Sequence, residues 1–226
     1  MLHLVLLVLV ATGGSGCIEV GETVRVGDDG AVDYTIDFGM PEFLVVAVGE
    51  TFGGQSPDSG ALFLRGRPPA ALVNGDSVWT SEYVRGDLRH FVSRRAMTSP
   101  ERLVEEGERP DSLQDRIAPV LEGYEVKRLD GHQIRLRRIA FPSQSRKDLR
   151  GMSDRGDGGV GDFLRDREKQ RRIFAGRRYS LTIHAPRIVS TNGTLSEDRT
   201  TATWSIPMEE TVSDSAKVLE AVLQLR

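Results

Sequence analysis

The feature that most constrains this chain is period-two alternation of apolar and polar residues around short turn signals. Ile18–Val26 places Ile18, Val20, Val24 and Val26 on one parity. Ala31–Phe38 does the same with Val32, Tyr34, Ile36 and Phe38, against Asp33, Thr35 and Asp37. Gly27-Asp28-Asp29-Gly30 lies between the two runs, and its residues tolerate positive φ and close tight turns. Two alternating runs around such a turn predict an antiparallel hairpin with one face buried.

The pattern recurs. Tyr124–Leu129 and Gln133–Phe141 flank Asp130-Gly131, a hairpin turn signal. Along the second run the apolar positions are Ile134 and Leu136, then Ile139 and Phe141, and the change of parity across Arg137-Arg138 predicts a β-bulge. Val78–Val84 reads as a strand within a mixed stretch from Arg65 to Met97, and Phe43–Val48 as a strand or short helix. Tyr179, Leu181 and Ile183 resume the alternation. Ile188–Ser190 leads into Asn192-Gly193, the strongest two-residue hairpin signal in the chain, and Ala202, Trp204 and Ile206 give a final strand its buried face. Ser99-Pro100-Glu101 starts a helix, a capping Ser before Pro at the first helical position. Leu113, Ile117, Val120 and Leu121 have helical spacing, and Val212, Ala216, Leu219 and Leu223 predict a closing amphipathic helix. Hairpins interspersed with helices predict an α+β fold: a largely antiparallel, curved sheet with packed helices and a charged excursion over Ser143–Arg178.

Met1–Cys17 reads differently. Leu2 to Ala11 is apolar except for His3, about ten residues, which suits a signal peptide and falls short of a membrane span. Small residues Thr12–Gly16 follow, then Cys17, the chain's single cysteine. The expectation is a lipoprotein signal over 1–16 and a mature envelope domain over 17–226, with 143–178 a charged insertion and Cys17 carrying the acyl anchor. Ser15 and Gly16 fit a bacterial lipobox, while Gly14 departs from its branched apolar position. Ile18 and Glu19 lack the Asp that retains some lipoproteins at an inner membrane, which leaves the outer membrane open.

A net charge of −3 gives no electrostatic reason to expect nucleic acid. With one cysteine no intramolecular disulfide forms, so packing alone must stabilise an envelope domain. Ser143–Arg178 runs against the average, with eleven Lys/Arg and six Asp/Glu. Its densest part, Arg165, Arg167, Lys169, Arg171, Arg172, Arg177 and Arg178, is a candidate contact for anionic headgroups, each basic residue near the surface being worth about 1 kcal/mol. The competing reading is a solvated helix paired internally through Asp166 and Glu168.

No reactive constellation stands out. Gly54-Gln55-Ser56-Pro57-Asp58 begins like a nucleophile elbow and fails at its last position. His90, His132 and His184 share no metal-ligand spacing and read as solvated or edge histidines. Asp154–Asp162 has the composition of a calcium loop but lacks alternate-position ligands and a closing Glu. Neither a catalytic residue, a metal nor a cofactor is expected.

Four stretches together resemble the LppM-type bacterial lipoproteins: Gly16-Cys17-Ile18 with the hairpin to Asp37; Gly123–Phe141 with Pro142; Tyr179–Pro186; and Ile188 through Asn192-Gly193 to Thr203-Trp204. The resemblance implies a membrane-anchored α+β domain without catalytic residues, associating with lipid or glycolipid. Many such relatives look as if they end in a transmembrane segment, whereas this chain stops at Val222–Arg226, and its charged excursion is long. The expected function is therefore non-catalytic binding of a lipid, glycolipid or envelope partner. A structural or assembly lipoprotein is the alternative, and an envelope hydrolase stands third.

Overall fold

The computed structural model describes residues 18–42, 45–46, 77–107, 121–129, 132–140, 168, 171, 174–212 and 216–225. Eleven strands among them build two sheets. The first sheet contains β1 (Glu19–Val26), β2 (Val32–Pro41), β3 (Ser77–Arg85), β4 (Leu88–Met97), β7 (Arg178–His184), β9 (Thr194–Leu195) and β10 (Thr201–Pro207). Its order is β3-β4-β2-β1-β7-β10-β9. The second sheet contains β5 (Leu121–Arg128), β6 (Gln133–Ala140), β8 (Arg187–Thr191) and β11 (Lys217–Gln224), in the order β5-β6-β11-β8. Every pairing is antiparallel except β1 with β7, which is parallel.

The alternation acts as expected in β1 and β2, where Val20, Val24, Val32, Ile36 and Phe38 are buried and Thr23, Asp33 and Thr35 lie on the opposite face. Their turn closes through Gly27 N–H to Ala31 O (2.8 Å), with Gly30 at φ +83° and the Asp29 carboxylate accepting from Ala31 N–H at 3.0 Å. Ile134 and Leu136 of β6, and Leu181 and Ile183 of β7, pack in the same core between the sheets. Complete burial of each such side chain is worth about 1.5–3 kcal/mol.

The helix-packed α+β expectation is overturned: the protein is mostly β. Among the described residues, the segments Arg102–Gly107 and Met208–Val212 span only six and five residues. The first does follow the Ser99-Pro100 start and buries Leu103. The closing helix is instead β11, an inner strand between β6 and β8. Its burial is strand-like and then continuous through Ala221-Val222-Leu223, because it packs within a sheet rather than lying on one. Leu121 likewise belongs to β5, while Leu113, Ile117 and Val120 lie outside the described residues.

Two further expectations change. β6 carries no bulge at Arg137-Arg138: its alternation is strict from Gln133 to Ala140, and its register with β11 is unbroken. Arg138 occupies a core position. Asn192-Gly193 is not a hairpin turn either, because β8 pairs with β11 in the second sheet and β9 with β10 in the first. These two residues carry the chain from one sheet to the other. Asn192 Oδ1 accepts from Trp204 Nε1–H and from Glu220 N–H, both at 2.9 Å, and its Nδ2 donates to Val218 O at 2.8 Å. A Cβ on Gly193 would lie 2.5 Å from the Trp204 ring.

Candidate functional site

Two polar clusters hold the chemically capable side chains. The first is buried between the sheets and starts from an exception in the alternation. Glu22 shares the apolar parity of Val20 and Val24 and is fully buried, as is Arg138 opposite it. Arg138 Nη2 donates to Glu22 Oε1 at 2.7 Å, and Tyr179 OH donates to the same oxygen at 2.9 Å. Glu22 Oε2 accepts from Tyr124 OH (2.7 Å) and Tyr34 OH (3.2 Å). The Arg138 guanidinium also lies 4.6 Å from the centre of the Tyr124 ring, and Tyr34 and Tyr124 meet edge to face at 5.9 Å.

Four strands thus supply the carboxylate on β1 with a cation and three phenols. A buried charge is tolerable only when paired and hydrogen-bonded in this way. Burial opposes the charge on Arg138, but Glu22 outweighs it and holds the guanidinium pKa well above its ordinary value. Burial, followed by the Glu22 charge, raises all three phenols well above 10.0. The arrangement ties β1, β2 and β7 of one sheet to β5 and β6 of the other.

The second cluster lies on the outer face of the first sheet, toward the end where β1 begins. Its centre is His90 of β4, which is 1% exposed rather than solvated or at an edge as the sequence suggested. Its Nδ1 is 2.8 Å from Asp37 Oδ1 and its Nε2 is 3.4 Å from Glu19 Oε1. Tyr83 stacks on the imidazole at 4.5 Å and donates its hydroxyl to Asp37 Oδ2 at 2.5 Å. Partial burial and that hydrogen bond push the Tyr83 pKa up to about 12. Gly39, opposite His90 in the register, leaves the space the ring needs, since a Cβ there would lie 2.7 Å from His90 Cε1. Glu19 also binds Arg85, and Arg177 bridges Glu19 (3.8 Å) and Asp87 (3.2 Å).

An Asp-oriented His is half of a catalytic arrangement, but here the second ring nitrogen faces a carboxylate, not a hydroxyl or thiol. The other histidines differ. His184 is half-buried beside Thr201, and burial followed by the Arg25 charge lowers its pKa. His132 is exposed.

Of the predicted headgroup-contact residues, Arg171 is exposed in a helical position, Arg177 is tied to Asp87 and Glu19, and Arg178 donates to Ser205 O at 2.7 Å. Arg165, Arg167, Lys169 and Arg172 lie outside the described residues, as do Cys17, Ser56 and Asp154–Asp162. Among the described residues no three His, Cys, Asp or Glu side chains are grouped to hold a metal ion, and no helix is long and apolar enough to cross a membrane. Sequence reasoning passed over Glu22 and took Arg138 as part of a bulge. Both were visible as charged residues at apolar-parity positions.

The fold is a two-sheet, mostly β architecture closed by a polar lock. No family model and no curated protein matches the sequence. Among solved structures, the chain is similar to the NMR structure of the folded domain of LppM from Mycobacterium tuberculosis. The TM-score is 0.48 and the identity 13%, over 94% of this chain and 92% of that one.

Proposed function

We propose that the protein is a lipid-anchored, non-catalytic binding module of the bacterial envelope, held to the membrane through acylated Cys17. The observation that supports it is the position of β1. Glu19, two residues after Cys17, already pairs with Gly39, and β1 is an inner strand between β2 and β7. An acyl group on Cys17 would therefore hold the fold within about 7 Å of its attachment point. In both clusters the carboxylates are taken up by neighbouring cations, phenols or imidazole, although His90 Nε2 and Arg138 Nη1 make no hydrogen bond among the described residues, and this favours binding over turnover. The polar lock is buried between the sheets, and we place recognition of partners on the outer surfaces.

Mass spectrometry of the membrane fraction tests the anchor. Diacylglyceryl-modified Cys17 at the mature amino end is expected, with Cys17→Ser protein lost from membranes. An unmodified Cys17, or a Cys17→Ser protein that still partitions with membranes, refutes it.

A further inference from the structure

The register of the first sheet aligns residues that are far apart in sequence. On its outer face Thr35 pairs with Thr23, Thr23 with Thr182, Thr182 with Thr203, and Thr203 with Thr194. Five threonines thus form one uninterrupted row across β2, β1, β7, β10 and β9. All five are exposed or half-exposed, and no hydrogen bond engages their hydroxyls among the described residues. The row continues through Arg94, opposite Thr35, to Trp79, opposite Arg94. Arg94 is held by the Asp33 carboxylate (2.9 and 3.0 Å) and lies 5.5 Å from the centre of the Trp79 ring, which remains 53% exposed.

We propose that this row binds a single extended, uncharged polysaccharide chain, with Trp79 as a stacking platform at one end. Strand spacing makes the threonine row roughly 19 Å long. It carries hydroxyls and methyls and no charge, and the two cations that flank it on this face, Arg94 and Arg25, are matched by the two carboxylates of β2 on the same face, Asp33 and Asp37. Its complement is therefore a neutral, hydroxyl-rich chain rather than an acidic polymer. Pairing preference explains a threonine opposite a threonine, but not five in line through a parallel pairing as well as antiparallel ones. Sheet twist of about 20° per strand turns the side chains by roughly 80° along the row. A single flexible chain can follow that turn; the flat face of a crystalline polymer cannot.

The proposal rests on the binding-module reading and deepens it. Its test is a glycan array of linear neutral oligosaccharides, probed with the full chain carrying Cys17→Ser. Binding that persists in high salt is expected. Thr23→Val/Thr182→Val should weaken it about tenfold, the effect of one or two lost hydrogen bonds. Trp79→Ala should weaken it comparably. Thr80→Val, on the opposite face of β3, should leave it unchanged, and melting temperatures should confirm that every variant folds. Absence of binding to any neutral glycan, binding abolished by salt, or equal binding by folded Thr23→Val/Thr182→Val overturns the proposal. Cleavage of a bound glycan would instead refute the non-catalytic reading and leave the surface standing. Acylation of Cys17 is tested separately and does not bear on this result.

Discussion

Replacing Glu22 by Gln keeps the shape of the side chain and removes its charge. The neutral amide retains one acceptor oxygen and places an N–H₂ donor where an oxygen now accepts from phenols or guanidinium. Arg138, fully buried, then has no full counter-charge and keeps only neutral partners, the face of Tyr124 and the hydroxyl of Tyr179 among them. Breaking a buried pair from one side costs about 3–5 kcal/mol. In a domain of this size that lowers the melting temperature by roughly 6–20 °C. Arg138→Met should cost less, because the Glu22 carboxylate would still accept from Tyr34, Tyr124 and Tyr179. Combining the two changes removes the stranded charge, so the double variant should be more stable than the sum of the single losses implies. Equilibrium urea unfolding followed by far-ultraviolet circular dichroism measures all four proteins of the cycle. A Glu22→Gln loss below about 1 kcal/mol, or single losses that add within about 0.5 kcal/mol, would refute the lock as the bond between the sheets.

The phenols of the lock set an alkaline limit. Below about pH 10 Tyr34, Tyr124 and Tyr179 are neutral in both states; above it the unfolded chain ionises and the buried phenols do not. The unfolded state then binds fewer protons, so stability falls with rising pH by up to about 1.4 kcal/mol per unit per phenol, or about 4 kcal/mol per unit for three. Tyrosinate absorbance should therefore stay low past pH 10 and appear only as circular dichroism is lost; phenolate forming in the folded protein near pH 10 would contradict this. Asn192→Ala removes three side-chain hydrogen bonds where the chain changes sheets, a loss of about 2–4 kcal/mol measurable by urea unfolding. A cost within about 0.5 kcal/mol would place the crossing under other control.

The legible parts of the fold were those whose partner lies nearby in sequence. β1 with β2, and β5 with β6, are hairpins announced by alternation and a turn, and β7 and β10 show their buried parity directly. β4 was obscured because its inner positions mix Phe91 and Met97 with Ser93 and Arg95, while His90 and Leu88 are buried on the other parity. β11 was misread because a short apolar run satisfies helix and strand spacing alike; pairing with β6 and β8 decides between them. Asn192-Gly193 has the composition of a local turn, yet the backbone it grips lies 26 and 28 residues away in β11.

The misreading of Arg138 shows most clearly why the candidate sites were hidden. An arginine at a core position cancels an apolar count just as a shift of register does, so a parity rule reports a bulge. Glu22 was passed over by the same rule, as a gap between Val20 and Val24. Each residue alone is an anomaly, and only the pair is an explanation, because each is the counter-charge that lets the other be buried. They stand 116 positions apart, and Tyr179, which completes the Glu22 shell, is 157 from it. The threonine row is the outward version of the same fact. Thr35, Thr23 and Thr203 look like ordinary polar-face residues until the sheet order puts Thr182 between the last two. In this protein the exceptions to the pattern carry the inter-sheet contacts, and its polar remainder carries the proposed surface; both become readable once the strand order is known.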